Sequence, residues 1–256
     1  MQENKIPKII HYVWFGHNPK GELIEKCVES WKYHMPDYKI IEWNEGNFDI
    51  SSHPYTKNAY ANKKWAFVSD YVRLKILYEQ GGIYLDTDMY VLKSFDEFID
   101  KKSGANYELV LGKEDATHVS AGMIACAPHN EYIKSMLNYY DDKLELITIP
   151  RALTGVYNIM QGENTIDMSK TKVFDPIYFY PYSADNIKNF KINKNYTDNT
   201  LKTNAPAESY AVHMWNYSWG HPLVKLVKRV GLHKQVVEIL DKLKIKNFLK
   251  KILKSA

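Results

Sequence analysis

Asp86 and Asp88 stand two apart in "GGIYLDTDMY", residues 81–90, where a short apolar run ends. Carboxylates so spaced have two readings. A turn uses aspartates to satisfy its own backbone, because a short acceptor side chain bonds the N–H groups that follow it. A hard divalent cation such as Mg²⁺ or Mn²⁺ also takes oxygen ligands, commonly one or two carboxylates completed by substrate phosphates. The bare D-x-D pattern is too short to choose between them. Its setting favours the cation, since the pair closes a strand in an alternating chain, and ligands of α/β sheets bind outside the carboxyl ends of strands.

The elements that must carry this pair follow from periodicity. "PKIIHYVWFG" reads as a buried first strand, residues 8–13, turning at Gly16. A helix follows over 22–33, stopped by Pro36, and then a strand over 38–43. Strand, helix and strand in this order predict a parallel α/β unit. Residues 55–80 read as one helical stretch, with Val68 and Val72 on one face, Tyr71, Leu74 and Tyr78 on the next, and Gly81 as its C-cap. "IYL" is then the strand that delivers Asp86. "YELVLGKE" and "AGMIACAP" read as short strands and "EYIKSMLNYYDDKLELI" as a helix. Residues 148–204, rich in Tyr, Asn and Pro, read as long loops with short elements. A last strand over 210–213 runs into "HMWNYSW".

Length and composition bound what these elements build. The 256 residues suffice for one large α/β domain with a small appendage. With 45% hydrophobic and 25% charged residues the chain is a folded protein and not a disordered one. Cys27 and Cys126 lie far apart and outside any metal-ligand spacing, which argues against a disulfide framework or a zinc site and for a reducing compartment. The N-terminal residues lack the pattern of a cleavable leader and no run of about 18 apolar residues occurs, so a cytoplasmic protein that does not span a membrane is expected.

Taken together, "IPKIIHYVWFG", "SDYVRLKILYEQGGIYLDTD" and "AVHMWNYSW" resemble the family 32 glycosyltransferases over about residues 6–219. The resemblance implies a GT-A (Rossmann-like) domain over 1–220 with a mostly parallel central sheet, a nucleotide-sugar donor, a divalent metal, and retention of anomeric configuration. It assigns Asp88 and His213 to the metal, with Asp86 bridging ribose and, through water, the metal. Val13 and Trp14 fall near the nucleotide base; stacking of a base on an aromatic face contributes about 1–3 kcal/mol. Asp70 and Arg73 fall on the donor sugar and diphosphate. The residues alone allow them a lesser role, a surface i,i+3 ion pair of a few tenths of a kcal/mol. Tyr84 points to the same face as Asp86 and is core or pocket. Thr87 completes the donor-binding set, and Ser218 and Trp219 match the terminal S-W that closes over the diphosphate. Asp86, Asp88, Arg73 and Trp219 are the expected catalytic set. "SAGMIACAPHN" departs from the family, with small residues where an Asn or Asp stands near Ala121. Glu114, Asp115 and His129 are pocket candidates, and "RALTGVYN" resembles a loop beneath the acceptor.

The expected partners are a UDP-sugar, ahead of a GDP-sugar, and a glycan or lipid-linked glycan of bacterial surface polysaccharide. No nucleic-acid partner is expected. Residues 221–256 hold ten Lys/Arg against Glu238 and Asp241, a surplus of 10 − 2 = +8, whereas 1–220 carry 24 − 28 = −4. Leu, Val, Ile and Phe recur there at three- and four-residue steps, so a basic amphipathic helical tail is expected, able to lie on an anionic membrane at about 1 kcal/mol per Lys or to pack on the body. Two other functions compete. A metal-dependent phosphohydrolase would need an acidic cluster for two metals, or a nucleophilic Asp opening D-x-D-x-[TV] with a downstream Lys/Asp set, and "DTDMY" lacks the Thr or Val at its fifth place; a non-catalytic sugar- or lipid-binding module would not need its aspartates for turnover.

Overall fold

The computed structural model describes residues 5–100, 103–142, 149–183, 186–187, 201 and 203–216. The chain divides into two compact units, residues 1–182 with 195–214, and residues 183–194 with 215–256. The first carries every element below. Of the second, the described residues are few; within it the Asn186 N–H donates to the Ser183 hydroxyl. Ser218, Trp219 and the basic tail over 221–256 lie outside the described residues.

The chain opens as its pattern predicts. β1 (Ile9–Val13), α1 (Glu22–His34) and β2 (Lys39–Trp43) form a parallel unit, Ile9 opposite Lys39 and Val13 opposite Trp43. The helical stretch that follows is two helices. α2 (Pro54–Ala61) ends at Asn62, and α3 (Trp65–Gln80) starts afresh. Lys63 adopts φ 54°, its N–H bonds the Tyr60 carbonyl, and the Lys64 N–H bonds the Ala59 carbonyl. These are the two bonds of a Schellman C-cap with lysine where glycine is usual. α3 ends as expected at Gly81. Gly81 and Gly82 both have positive φ, 64° and 98°, and a Cβ on Gly82 would lie 2.7 Å from the Ile9 carbonyl oxygen.

β3 (Gly82–Leu85) follows, then a tight turn and β4 (Met89–Val91), a strand the sequence pattern does not announce. After the short α4 (Asp96–Ile99) come β5 (Leu109–Lys113), β6 (Val119–Cys126) and α5 (Glu131–Asp142). The expected loops over 148–204 are corrected by α6 (Ile149–Gly162), a full amphipathic helix that contains "RALTGVYN". β7 (Thr171–Phe174), α7 (Pro176–Phe179) and β8 (Ala211–His213) complete the order.

The main sheet runs β2-β1-β3-β6-β5-β7. β6 is antiparallel to both its neighbours, and the other five strands point one way. The α/β expectation with a mostly parallel central sheet therefore holds. β4 and β8 form a separate two-stranded sheet, antiparallel, with Met89 opposite His213. α3 packs on β1, β3 and β6, α6 packs on β6, and α5 packs on α3 and α6, so one core joins Val68, Val72, Leu77, Ile124, Ile133 and Leu153. Among the described residues no helix is long and apolar enough to cross a membrane.

Candidate functional site

The two aspartates form a β-turn and more than a turn. The Met89 N–H closes it on the Asp86 carbonyl at 2.9 Å, so the backbone part of the simpler reading is correct. Their side chains also converge with a third group. Oxygen atoms of Asp86 and Asp88 and a ring nitrogen of His213 all lie within 4.8 Å of one another. β3 brings Asp86 to the carboxyl end of the sheet, where its N–H bonds the Gly122 carbonyl at 2.8 Å. The β4–β8 ladder brings His213, whose Nε2 lies 3.2 Å from Asp88 Oδ1. The Met214 N–H donates to the Asp88 carbonyl at 2.8 Å.

Other elements fix this small sheet from outside. From α1, the Trp31 indole N–H donates to the Met89 carbonyl at 2.7 Å, and the Ser30 hydroxyl accepts the Val91 N–H at 3.0 Å. Tyr210, just before β8, packs edge-on to Phe98 and stacks on Phe179. Such aromatic pairs each add roughly 0.5–1.5 kcal/mol beyond their area.

Arg73 lies on α3 behind the turn and is 4% exposed, so the Asp70–Arg73 pair is buried and not on the surface. Its five N–H groups all have acceptors. Nε donates to the Ser69 carbonyl, Nη1 to Asp86 Oδ1 at 3.0 Å and to the Ala121 carbonyl at 2.9 Å, and Nη2 to the Ser69 hydroxyl and to Asp70 Oδ1 at 3.0 Å. The guanidinium also lies over the Tyr84 ring, 4.4 Å from its centroid. Tyr84 is core by burial, at 2% exposed, yet its hydroxyl donates to Asp86 Oδ1 at 3.0 Å. The sequence left Tyr84 as core or pocket, and its ring serves the first while its hydroxyl meets the site.

Burial sets the charges. It pushes the Asp70 carboxyl up to about 7 against the pull of Arg73, with Asp86 adding to the rise. Burial works against the Arg73 charge, but Tyr84, Asp86 and Asp70 outweigh it, and the guanidinium stays protonated. At His213 burial favours the neutral ring, and Asp88, Asp86 and Glu114 reverse this and raise its affinity for a proton. Glu114, at the end of β5, is itself raised by burial first, while His213 and a hydrogen bond from Ser120 hold it back. Asp86 and Asp88 thus face one imidazole, while Asp70 is paired with Arg73 behind them. Two carboxylate oxygens and one imidazole nitrogen converging fit a divalent cation such as Mn²⁺.

The remaining expected residues divide. Val13 ends β1 in the core, and Trp14 follows it, half-buried, its indole N–H on the Asn18 carbonyl at 2.7 Å. They lie just past His11, which stands opposite Tyr84 in the β1–β3 register, at the same end of the sheet as Asp86. Thr87 is half-buried within the turn. Asp115 accepts the Thr117 and His118 N–H groups in its own exposed turn, and His129 sits at the opposite end of β6, its N–H on the Tyr78 carbonyl. Three participants carried no sequence signal strong enough to find them. Ser69 stood beside Asp70 in "SDYVR" without a role, Tyr180 comes from α7's C-terminal end, and Gly122 is the point where β6 passes the aspartates. A Cβ on Gly122 would lie 2.9 Å from the Tyr180 hydroxyl and 3.2 Å from Asp86 Oδ2.

Comparison with known proteins adds to this geometry. Residues 21–105 match a glycosyltransferase sugar-binding region containing a DXD motif, and residues 129–234 match an alpha 1,4-glycosyltransferase conserved region. The chain is 32% identical over 105 residues to inositol phosphoceramide mannosyltransferase 3 of Schizosaccharomyces pombe, a stretch covering 38% of this chain and 28% of that protein. It is 23% identical over 171 residues to the Homo sapiens alpha-1,4-N-acetylglucosaminyltransferase, covering 62% of this chain and 46% of that one. The chain thus spans less than half the length of these curated relatives. Among solved structures, the PaToxG glycosyltransferase is similar with 20% identity and a TM-score of 0.47, over 62% of this chain and 72% of that chain.

Proposed function

The chain belongs to the glycosyltransferases that carry a DXD sugar-binding region, and from that premise we propose that it moves a sugar from a nucleotide-sugar, a UDP-sugar ahead of a GDP-sugar, to a hydroxyl of a glycan or lipid-linked glycan. The observation that carries this reading is the convergence of Asp86, Asp88 and His213 within 4.8 Å at the carboxyl end of β3. Asp88 and His213 would hold the cation, Mn²⁺ or Mg²⁺, with Asp86 completing the set directly or through water. A cation held there would supply positive charge against the charge that grows on a diphosphate as it leaves.

The chain's own residues do the rest. Val13 and Trp14 seat the nucleotide base, Thr87 and Asp86 face the ribose, and Asp70 and Arg73 support the donor from behind the turn. The resemblance gives Ser218 and Trp219, which lie outside the described residues, the task of closing over the diphosphate, which would keep water from the donor. The acceptor oxygen forms its bond to the anomeric carbon on the face the phosphate leaves, the bond electrons go to the diphosphate oxygen, and the acceptor's proton passes to that oxygen. This same-face path retains configuration without a protein nucleophile. The mannosyltransferase relative is named for an inositol phosphoceramide acceptor, which supports a lipid-linked acceptor here. The +8 surplus over 221–256 would hold the enzyme at an anionic inner membrane surface where such an acceptor of surface-polysaccharide synthesis is presented.

A panel of UDP- and GDP-sugars with Mn²⁺ tests the reading, with donor hydrolysis and calorimetric binding measured with and without EDTA. One UDP-sugar should turn over, lose turnover to EDTA and regain it with Mn²⁺. Turnover indifferent to EDTA would refute the cation site, and a panel in which no donor binds would refute glycosyl transfer. For the tail, equal binding of anionic vesicles at low salt by the full chain and by a chain ending at Pro222 would refute membrane attachment.

A further inference from the structure

We propose that Arg73 and Tyr84 are positioning residues that hold Asp86 by its Oδ1 atom, so that Asp86 meets a cation or ligand through Oδ2 alone. This rests on the reading of Asp86, Asp88 and His213 as a cation site. A carboxylate oxygen has two lone-pair directions. At Asp86 Oδ1 both are taken, one by Arg73 Nη1 and one by the Tyr84 hydroxyl, each at 3.0 Å. Oδ2 lies on the side of Gly122, where the missing side chain leaves it room. The Asp86 side chain is 30% exposed, against 5% for Arg73. The carboxylate therefore has one face toward solvent and one bound into the protein.

The hold is a set of hydrogen bonds around one guanidinium. Arg73 Nη2 bonds the Ser69 hydroxyl and Asp70 Oδ1, and Tyr84 and Arg73 Nη1 both bond Asp86 Oδ1. With its five N–H groups all engaged, Arg73 has none left for a sugar hydroxyl in this arrangement. Its contribution to donor binding passes through Asp86. The carbonyl of Ala121 ties the same guanidinium to β6, so helix, turn and strand share one fixed point. Groups bonded behind a metal ligand orient it, and their loss typically costs about 10–100-fold in metal affinity.

The test is Mn²⁺ binding to the full chain without nucleotide, by calorimetry, for wild type, Tyr84→Phe, Arg73→Lys and Asp88→Asn. Tyr84→Phe keeps the ring under the guanidinium and removes only the hydroxyl, so it also covers the case in which Arg73→Lys fails to fold. The expected result is about 10-fold weaker Mn²⁺ binding for Tyr84→Phe, with the thermal midpoint little changed and affinities for UDP and UDP-glucose in Mn²⁺ reduced by one common factor. Unchanged Mn²⁺ affinity in Tyr84→Phe, with Asp88→Asn weakened, would overturn the positioning role alone. A loss confined to UDP-glucose would show that these residues touch the sugar, and would overturn it too. If Asp88→Asn also leaves Mn²⁺ binding unchanged, the cation site itself is refuted and the positioning role falls with it.

Discussion

Asp88 and His213 meet at 3.2 Å between Oδ1 and Nε2, and the two-stranded sheet of β4 and β8 makes that meeting. Because Met89 pairs with His213, the residue before Met89 and the imidazole sit on adjoining rungs. The site is thus closed by a short ladder anchored to α1, not by the main sheet.

Asp88→Asn removes the negative charge of one member of this set, and His213→Ala removes a donor atom outright. Both should lower sugar transfer by about 10²–10³-fold at limiting Mn²⁺, a size typical of losing one electrostatic stabiliser of a transition state. His213→Ala should recover part of its rate as Mn²⁺ is raised, because two carboxylates remain. Initial rates against Mn²⁺ concentration check this. A rate that stays low at every Mn²⁺ concentration, in a protein with a wild-type thermal midpoint, would give His213 a role other than ligation.

How much of this was legible depends on how local each signal is. β1, α1, β2, α3 and β3 announce themselves through apolar periodicity and the Gly81–Gly82 punctuation, and the aspartate turn falls where that pattern puts it. α6 was missed although Ile149, Leu153, Val156, Tyr157 and Met160 recur at three- and four-residue steps. Pro150 reads as a loop signal, yet proline is tolerated in a helix's first turn. β4 spans three residues and exists because Trp31, Ser30 and β8 hold it, none of which is near in sequence. The Asp70–Arg73 pair has the spacing of a surface ion pair, and only the arrival of β6 and Asp86 beside it makes it buried machinery.

Lys63 gives a prediction about stability alone. At φ 54° it occupies the left-handed position of the Schellman motif that ends α2. A side chain there costs about 1–2 kcal/mol, and glycine's greater chain entropy returns roughly 0.5–1 kcal/mol of that. Lys63→Gly should therefore stabilise the protein by about 0.5–1 kcal/mol without affecting Mn²⁺ binding. Urea denaturation of the two proteins measures it; an equal or lower midpoint for the variant would show that Lys63 contributes contacts that outweigh the strain.

His11 predicts a pH dependence. The Trp43 indole N–H donates to Nδ1 at 3.0 Å, so the proton sits on Nε2 and is donated to the Gly81 carbonyl at 3.0 Å. Burial lowers the pKa of this imidazole from 6.5 to about 4. Between those values the unfolded chain binds a proton the folded chain does not, so the neutral imidazole's contribution to stability is intact above about pH 6.5 and is lost as pH falls toward 4. The full loss is on the order of 3 kcal/mol. Asp70, raised to about 7, has the opposite sign over an overlapping range, since there the folded state holds the extra proton. The wild-type curve alone therefore mixes the two. The difference between wild type and His11→Leu isolates the histidine: the variant's deficit should shrink as pH falls from 6.5 to 4. A deficit constant across that range would mean that His11 titrates normally in the fold.

Gly122→Ala asks whether the space beside Asp86 Oδ2 is needed. The new Cβ would lie 2.9 Å from the Tyr180 hydroxyl, 3.2 Å from Asp86 Oδ2 and 3.6 Å from Met89 Sδ. Three side-chain ends cannot all keep their places against one carbon, and overpacking of this kind costs about 1–3 kcal/mol. Asp86 is tethered at Oδ1 and cannot swing away without breaking its bonds to Arg73 and Tyr84, so its retreat disturbs the oxygen that faces the cation. The expected result is a thermal midpoint lower by a few degrees together with Mn²⁺ binding weaker by about 10-fold. Calorimetry and thermal unfolding on the same preparation separate the two responses. A lowered midpoint with wild-type Mn²⁺ affinity would mean that Tyr180 yields in place of Asp86, and that the Gly122 gap serves packing instead of the site.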